Sequence, residues 1–185
     1  MHPVFTIGHS RHAPDEFLQL LAAQAVDLLV DVRAQPWSRR NPQFNRDALQ
    51  ASLAAQGLRY RWLGEALGGL REGGTGNAHA ALPEAAFRAY AEHMASPAFG
   101  QVLERLCEGA QRRRMALMCA EADVAQCHRR FIADALALRG VEVRHILATS
   151  TTQPHVPHPA LRVVDGVMRY DGLSQPTLFD VEHPA

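Results

Sequence analysis

The sequence predicts an α/β fold: a mostly parallel sheet of about five strands with helices on both faces, followed by a C-terminal β-hairpin. Three observations carry this. Short apolar runs alternate with stretches of helical periodicity, the pattern of strand–helix–strand units. The run Asp27–Arg33 (DLLVDVR) has a continuous apolar centre, as a strand covered on both faces requires. Asp165-Gly166 stands between two short apolar runs, the signal for a two-residue hairpin turn. Together they describe a Rossmann-like core over residues 1–147, with a linker, hairpin and tail over 148–185.

The elements follow in chain order. Val4–Gly8 (VFTIG) is a short buried strand closed by glycine. Asp15–Gln24 places Phe17, Leu18, Leu20 and Leu21 at helical spacing behind Pro14. Asp27–Arg33 is the second strand. Ala34–Asn45 holds Pro36 and Pro42 and cannot be regular. Arg46–Gln56 is a helix ended by Gly57. Leu58–Leu63 is the third strand, and Gly64–Gly76, with six glycines, is a mobile loop. Pro83–Gly109 is helical with a break near Ser96-Pro97. Arg114–Ala120 (RMALMCA) is the fourth strand, Asp123–Arg139 a helix stopped by Gly140, and Val141–Leu147 the fifth strand. Ala148–Pro159, rich in Thr, Pro and His, is a linker, so His155 and His158 need no function. Leu161–Tyr170 is the hairpin.

Composition narrows the function classes. The chain has 185 residues, with 19 basic against 19 acidic side chains. A net charge near zero argues against bulk electrostatic binding to nucleic acid or anionic lipid. Every basic residue is arginine, which leaves local clusters to carry any electrostatic argument. No apolar run is long enough for a membrane span, and no secretory leader pattern opens the chain. Three cysteines without such a leader point to free thiols and a cytoplasmic protein.

In open parallel sheets, ligands bind beyond the carboxyl ends of the strands. Here those ends carry His9, Ser10 and Arg11 after the first strand, Asp31 and Arg33 in the second, and Cys119 and Glu121 in the fourth. Cys127, His128 and Arg129 open the helix that follows. Cys119, between an apolar strand and a helix, is placed for a lowered pKa and a nucleophilic or orienting role. A thiol-phosphatase loop is excluded, because the position six residues after Cys119 is Ala125. Cys127 and Phe131 share a helical face, which favours packing for Cys127. Cys119, Cys127 and His128, with His9, are the candidate ligands for zinc or iron, although the short Cys-x2-Cys spacing is absent. Otherwise no cofactor is expected. Glu121 and Asp31 are candidate acid–base groups. His9 is a candidate proton shuttle, because an unperturbed imidazole titrates near neutrality. The acid-free loop Ala34–Asn45 interleaves Arg39 and Arg40 with Trp37 and Phe44, chemistry suited to phosphates and unstacked bases. Ser10, Arg33, Arg39, Arg40, His128 and Arg129 are therefore the candidate phosphate or substrate contacts.

The tail carries Gln175-Pro176-Thr177-Leu178-Phe179. Gln175, Leu178 and Phe179 fit the pattern by which bacterial polymerases and repair proteins dock on the DNA sliding clamp. Leu178 and Phe179 would fill an apolar cleft and Gln175 would hydrogen-bond at its edge. The same apolar pair could instead clip the tail to its own domain.

The segments TIGHS (Thr6–Ser10), DVR (Asp31–Arg33) with Pro36 and Ser38, NPQFN (Asn41–Asn45), YRWLGEALGG (Tyr60–Gly69), MCAE (Met118–Glu121) and CHR (Cys127–Arg129) together resemble the bacterial domain-of-unknown-function family 488, over roughly Val4 to Leu147. The resemblance implies a small cytosolic α/β protein and no assigned reaction. Its recurrent positions fall on His9, Ser10, Asp31, Arg33, Cys119, Glu121, Cys127, His128 and Arg129. Three readings follow. The first is an enzyme, a hydrolase or transferase, acting on a nucleotide or nucleic acid and linked to DNA repair or replication. The second is a non-catalytic adaptor for DNA or the clamp. The third is a Cys/His metal-binding or thiol redox protein.

Overall fold

The computed structural model describes residues 1–172. Strands β1 (Val4–Gly8), β2 (Leu28–Asp31), β3 (Arg59–Trp62), β4 (Met115–Cys119) and β5 (Val143–Ala148) form a parallel sheet in the order β3-β2-β4-β1-β5. β1 pairs with both β4 and β5, and β2 with both β3 and β4. A sixth strand, β6 (Thr151–Pro154), joins β5 antiparallel at the edge. It lies within the Thr- and Pro-rich stretch expected to be a linker. The stretch is ordered because its backbone completes the ladder of β5, which otherwise leaves unpaired edge groups. The hairpin forms as expected: β7 (Leu161–Val164) and β8 (Val167–Tyr170) pair around Asp165-Gly166, both at positive φ.

The helices are α1 (Pro14–Ala23), α2 (Arg46–Ala55), α3 (Gly64–Leu67), α4 (Ala85–His93), α5 (Pro97–Ala110) and α6 (Arg129–Ala137). The break between α4 and α5 falls where Ser96-Pro97 predicts it, and the Ser96 hydroxyl caps α5 by accepting from the Phe99 N–H. The glycine-rich stretch, expected to be a loop throughout, begins as α3. Its later glycines are tied by the Glu92 carboxylate, which accepts from Gly74 N at 2.8 Å. None of the helices described is long and apolar enough to cross a membrane.

Strand pleating divides the core. Side chains alternate between faces with a period of two. Phe5, Ile7, Leu29, Ala116 and Met118 meet Phe17, Leu20 and Leu21 of α1 and Leu49 and Leu53 of α2. Val4, Val30, Met115, Leu117 and Cys119 meet Tyr90 of α4, Leu103 and Leu106 of α5, and Phe131, Ile132 and Leu136 of α6. The hairpin docks on this second face through Tyr170, whose hydroxyl donates to Asp134 Oδ2 at 2.9 Å.

Candidate active-site cleft

At the carboxyl ends of the strands the chain turns tightly. His9 N donates to Cys119 O and Ser10 N to Ala120 O, each at 2.9 Å, so β1 and β4 stay paired past their last residues. Gly8 is required there, because a Cβ would run into the Glu121 carbonyl. Ser10 takes the left-handed conformation, with φ of 44°.

Two clusters share this edge. On the α1/α2 face Asp31 is fully buried. Its Oδ1 accepts from Arg33 Nε at 2.9 Å and from Arg33 N at 3.0 Å. Its Oδ2 accepts from Arg33 Nη2 at 2.6 Å and Tyr60 OH at 2.7 Å. Arg33 also donates to Phe44 O and to His9 Nε2. The His9 ring lies over Phe44 with centroids 4.4 Å apart, and its Nδ1–H donates to Ser10 O at 3.1 Å. Burial first, then the Arg33 charge, lower the His9 pKa to about 4. His9 is therefore a neutral imidazole with both nitrogens engaged, which corrects the expectation of a shuttle titrating near neutrality. It also stands outside the metal-ligand group. Both Asp31 oxygens are taken by these donors; the Arg33 guanidinium is paired with Asp31, and Arg33 also lines the cleft described next.

The second cluster belongs to the α4–α6 face and opens on a cleft of about 350 Å³, whose walls include Trp37, Leu70, Phe87, Gln35 and Gln126. Cys119, Glu121, Cys127 and His128 line it. Cys119 Sγ stands 2.7 Å from Cys127 Sγ and 2.5 Å from Glu121 Oε2. Cys127 Sγ is 3.8 Å from His128 Nδ1. His128 Nε2 donates to Val32 O at 3.1 Å, which leaves Nδ1 as a lone pair in the neutral ring.

Arg129 is buried at 2% exposure. It reaches Cys127 Sγ through its backbone N–H and through Nε at 3.3 Å, and Glu121 O through Nη2 at 2.6 Å. Among the described residues no carboxylate pairs with it, and its side-chain acceptors are the Cys127 sulfur and the Thr6 hydroxyl. Burial raises the Cys119 thiol, and its contact with Cys127 raises it further. Burial alone would raise Cys127 too, but the hydrogen bonds from Cys119 and with His128 and the Arg129 charge hold it well below the usual thiol range. The sequence assigned the lowered thiol to Cys119, and the structure moves it to Cys127. Cys127 is buried against the core beside Phe131, as the packing reading expects, but it does not stand on a helix. A one-turn 3-10 segment, Val124–Gln126, precedes it, its own backbone is extended, and α6 begins only at Arg129.

The remaining candidates divide plainly. Arg39 and Arg40 are exposed and outside the cleft wall, though the Arg39 guanidinium sits 5.8 Å over the Trp37 ring. Ser10 contributes its backbone. Gln175, Leu178 and Phe179 lie outside the described residues. Sequence reasoning missed Gln35, Gln126 and Leu70, which are unremarkable as residue types, and Gly69. The double glycine Gly68-Gly69 was the available signal: a Cβ at 69 would meet His128 Nδ1 at 2.7 Å. It also missed that His155, assigned to a linker, bridges His145 Nε2 at 3.0 Å and Asp134 Oδ1 at 2.8 Å.

Fold and site define an open parallel α/β protein with a thiol–imidazole–carboxylate cleft at the carboxyl edge of its sheet. The chain belongs to the family described as Domain of unknown function DUF488, whose model matches residues 13–136. That span is shorter than Val4 to Leu147; it takes in the Cys119 and Cys127 segments and leaves β1 outside. No curated protein matches the chain, and no solved structure does.

Proposed function

We propose that the chain is an enzyme acting on a nucleotide-type substrate in this cleft. The observation that carries the reading is Trp37: a large aromatic ring, 61% exposed, in the wall that also holds Cys119, Glu121, Cys127 and His128. A solvent-facing tryptophan beside reactive groups suits stacking of a planar base. Arg39 over that ring and its neighbour Arg40 supply exposed guanidinium groups for a phosphate. Gln35 and Gln126 each offer a donor and an acceptor to a base edge. The volume lies at the small end of ligand pockets, enough for one nucleoside unit. Glu121, exposed and beside Cys119, is the acid–base group.

Calorimetric titration tests this with mononucleotides and a short single-stranded oligonucleotide, against ribose 5-phosphate. Base-bearing ligands bind more tightly than the sugar phosphate, and Trp37→Ala weakens them by about tenfold or more. Equal binding of ribose 5-phosphate and nucleotides, or full affinity in Trp37→Ala, overturns the reading.

A further inference from the structure

We propose that Cys119, Cys127 and His128 hold a zinc ion whose remaining coordination position faces the cleft. The proposal names the cofactor of the site read above as catalytic, but ion capture stands or falls separately from nucleotide binding. Three observations carry it.

The first is convergence. One donor atom from each of the three residues lies within 4.8 Å of the other two. They come from the end of β4 and from the turn before α6, so two separate chain segments fix them.

The second is the count of protons against lone pairs. Cys119 and Cys127 bring one S–H each, either of which can lie between the two sulfurs, and a Glu121 oxygen also stands within reach of the Cys119 sulfur. His128 Nδ1 adds a further lone pair, because Nε2 carries the ring proton toward Val32 O. The cluster therefore holds more acceptors than protons to share. The two sulfurs stand 2.7 Å apart, near enough for one ion to take both once they part to the span of two zinc–sulfur bonds. A divalent ion displaces the thiol protons to solvent and satisfies sulfur and nitrogen lone pairs together.

The third is the surrounding shell. A ligating imidazole characteristically gives its other N–H to a backbone carbonyl, which fixes tautomer and ring direction. His128 does this at 3.1 Å. Gly69 keeps the space beside Nδ1 open, and Arg129 offsets negative charge from behind Cys127.

Two thiolates and one imidazole are soft-to-borderline donors, which favour zinc over magnesium or calcium. Three protein ligands with an open position are the arrangement of catalytic rather than structural zinc. Glu121 is then a carboxylate beside the open position and not a required ligand. His9, engaged with Arg33 and Ser10, does not complete the set.

The experiment uses the full chain without a metal-binding tag, prepared under reducing conditions and supplied with zinc or cobalt. Elemental analysis finds about one equivalent of zinc. The cobalt form shows an intense near-ultraviolet thiolate-to-metal band. Zinc falls below about a tenth of an equivalent in Cys119→Ser/Cys127→Ser and is unchanged in Cys107→Ser. Gly69→Ala, which crowds Nδ1 and removes no ligand, weakens zinc by about 10- to 100-fold, the usual scale for disturbing an outer-shell contact. Wild type that takes up no zinc, a cobalt spectrum without the thiolate band, or a reduced chain that returns to a Cys119–Cys127 disulfide instead of binding metal overturns the proposal. Nucleotide titration of the double serine variant separates the two readings. Binding without zinc leaves the substrate assignment intact, and zinc in wild type without nucleotide binding leaves the metal site intact.

Discussion

The Asp31–Arg33–His9 cluster and the Cys119–Cys127–His128 cluster sit at the same edge of the same sheet, yet they are opposite in character. In the first, every charge and lone pair has a partner: two carboxylate oxygens take four donors, and both nitrogens of His9 are engaged. In the second, the buried Arg129 guanidinium has no carboxylate partner among the described residues, and two thiols, an imidazole nitrogen and the Glu121 carboxyl group gather at the cleft. A saturated network is a frame, because changing any member leaves a buried group unpaired. An unsaturated one retains capacity for a ligand. Polar residues at strand ends are therefore not one site, and the hydrogen-bond count separates support from chemistry.

The widest gap between the clusters is expected in stability. Asp31→Asn leaves the buried Arg33 charge uncompensated and costs about 3–5 kcal/mol in urea unfolding. Glu121→Gln, at an exposed position, stays within about 0.5 kcal/mol of wild type. Similar losses in both would erase the distinction. Gly8→Ala tests the hinge between the clusters. The new methyl meets the Glu121 carbonyl, so the β1 and β4 ends must separate, at about 1–3 kcal/mol or more by the same measurement.

Acid sharpens the comparison next. His9 titrates near 6.5 when unfolded and at about 4 when folded. Between those values the unfolded chain binds a proton that the folded chain refuses. Stability therefore falls as the pH drops from about 6.5 to about 4, and this contribution levels off below. Burial and the neighbouring His155 hold His145 at about 4 as well, so it adds to the same slope. Unfolding midpoints across this range should decline less steeply in His9→Gln than in wild type. Identical slopes would remove His9 from the frame. The smallest effect belongs to Trp37→Ala. Removing this exposed ring changes the unfolding free energy by no more than about 0.5 kcal/mol, even as nucleotide affinity falls.

Much of the fold was legible because it is written locally. The apolar run of β2, the Ser96-Pro97 break between α4 and α5, and the Asp165-Gly166 turn each depend on a few adjacent residues. The strand β6 was not legible, since Thr151–Pro154 has no apolar run of its own and is a strand only because β5 lies beside it. His155 was passed over for the same reason. Its partners Asp134 and His145 come from α6 and β5.

For the site, the sequence by itself determined which groups reach the carboxyl edge, because strand length and the residue after each strand are local facts. Only the tertiary structure decided which groups face one another. Pairing places Asp31 beside Met118, and Gly8 beside Cys119. With side chains alternating from face to face, Asp31 and His9 go to the α1/α2 side and Cys119 to the side of α6. A one-residue change of register would exchange these sides without altering any strand's own sequence. That is why the residue list could be read from the chain, whereas the division into frame and cleft could not.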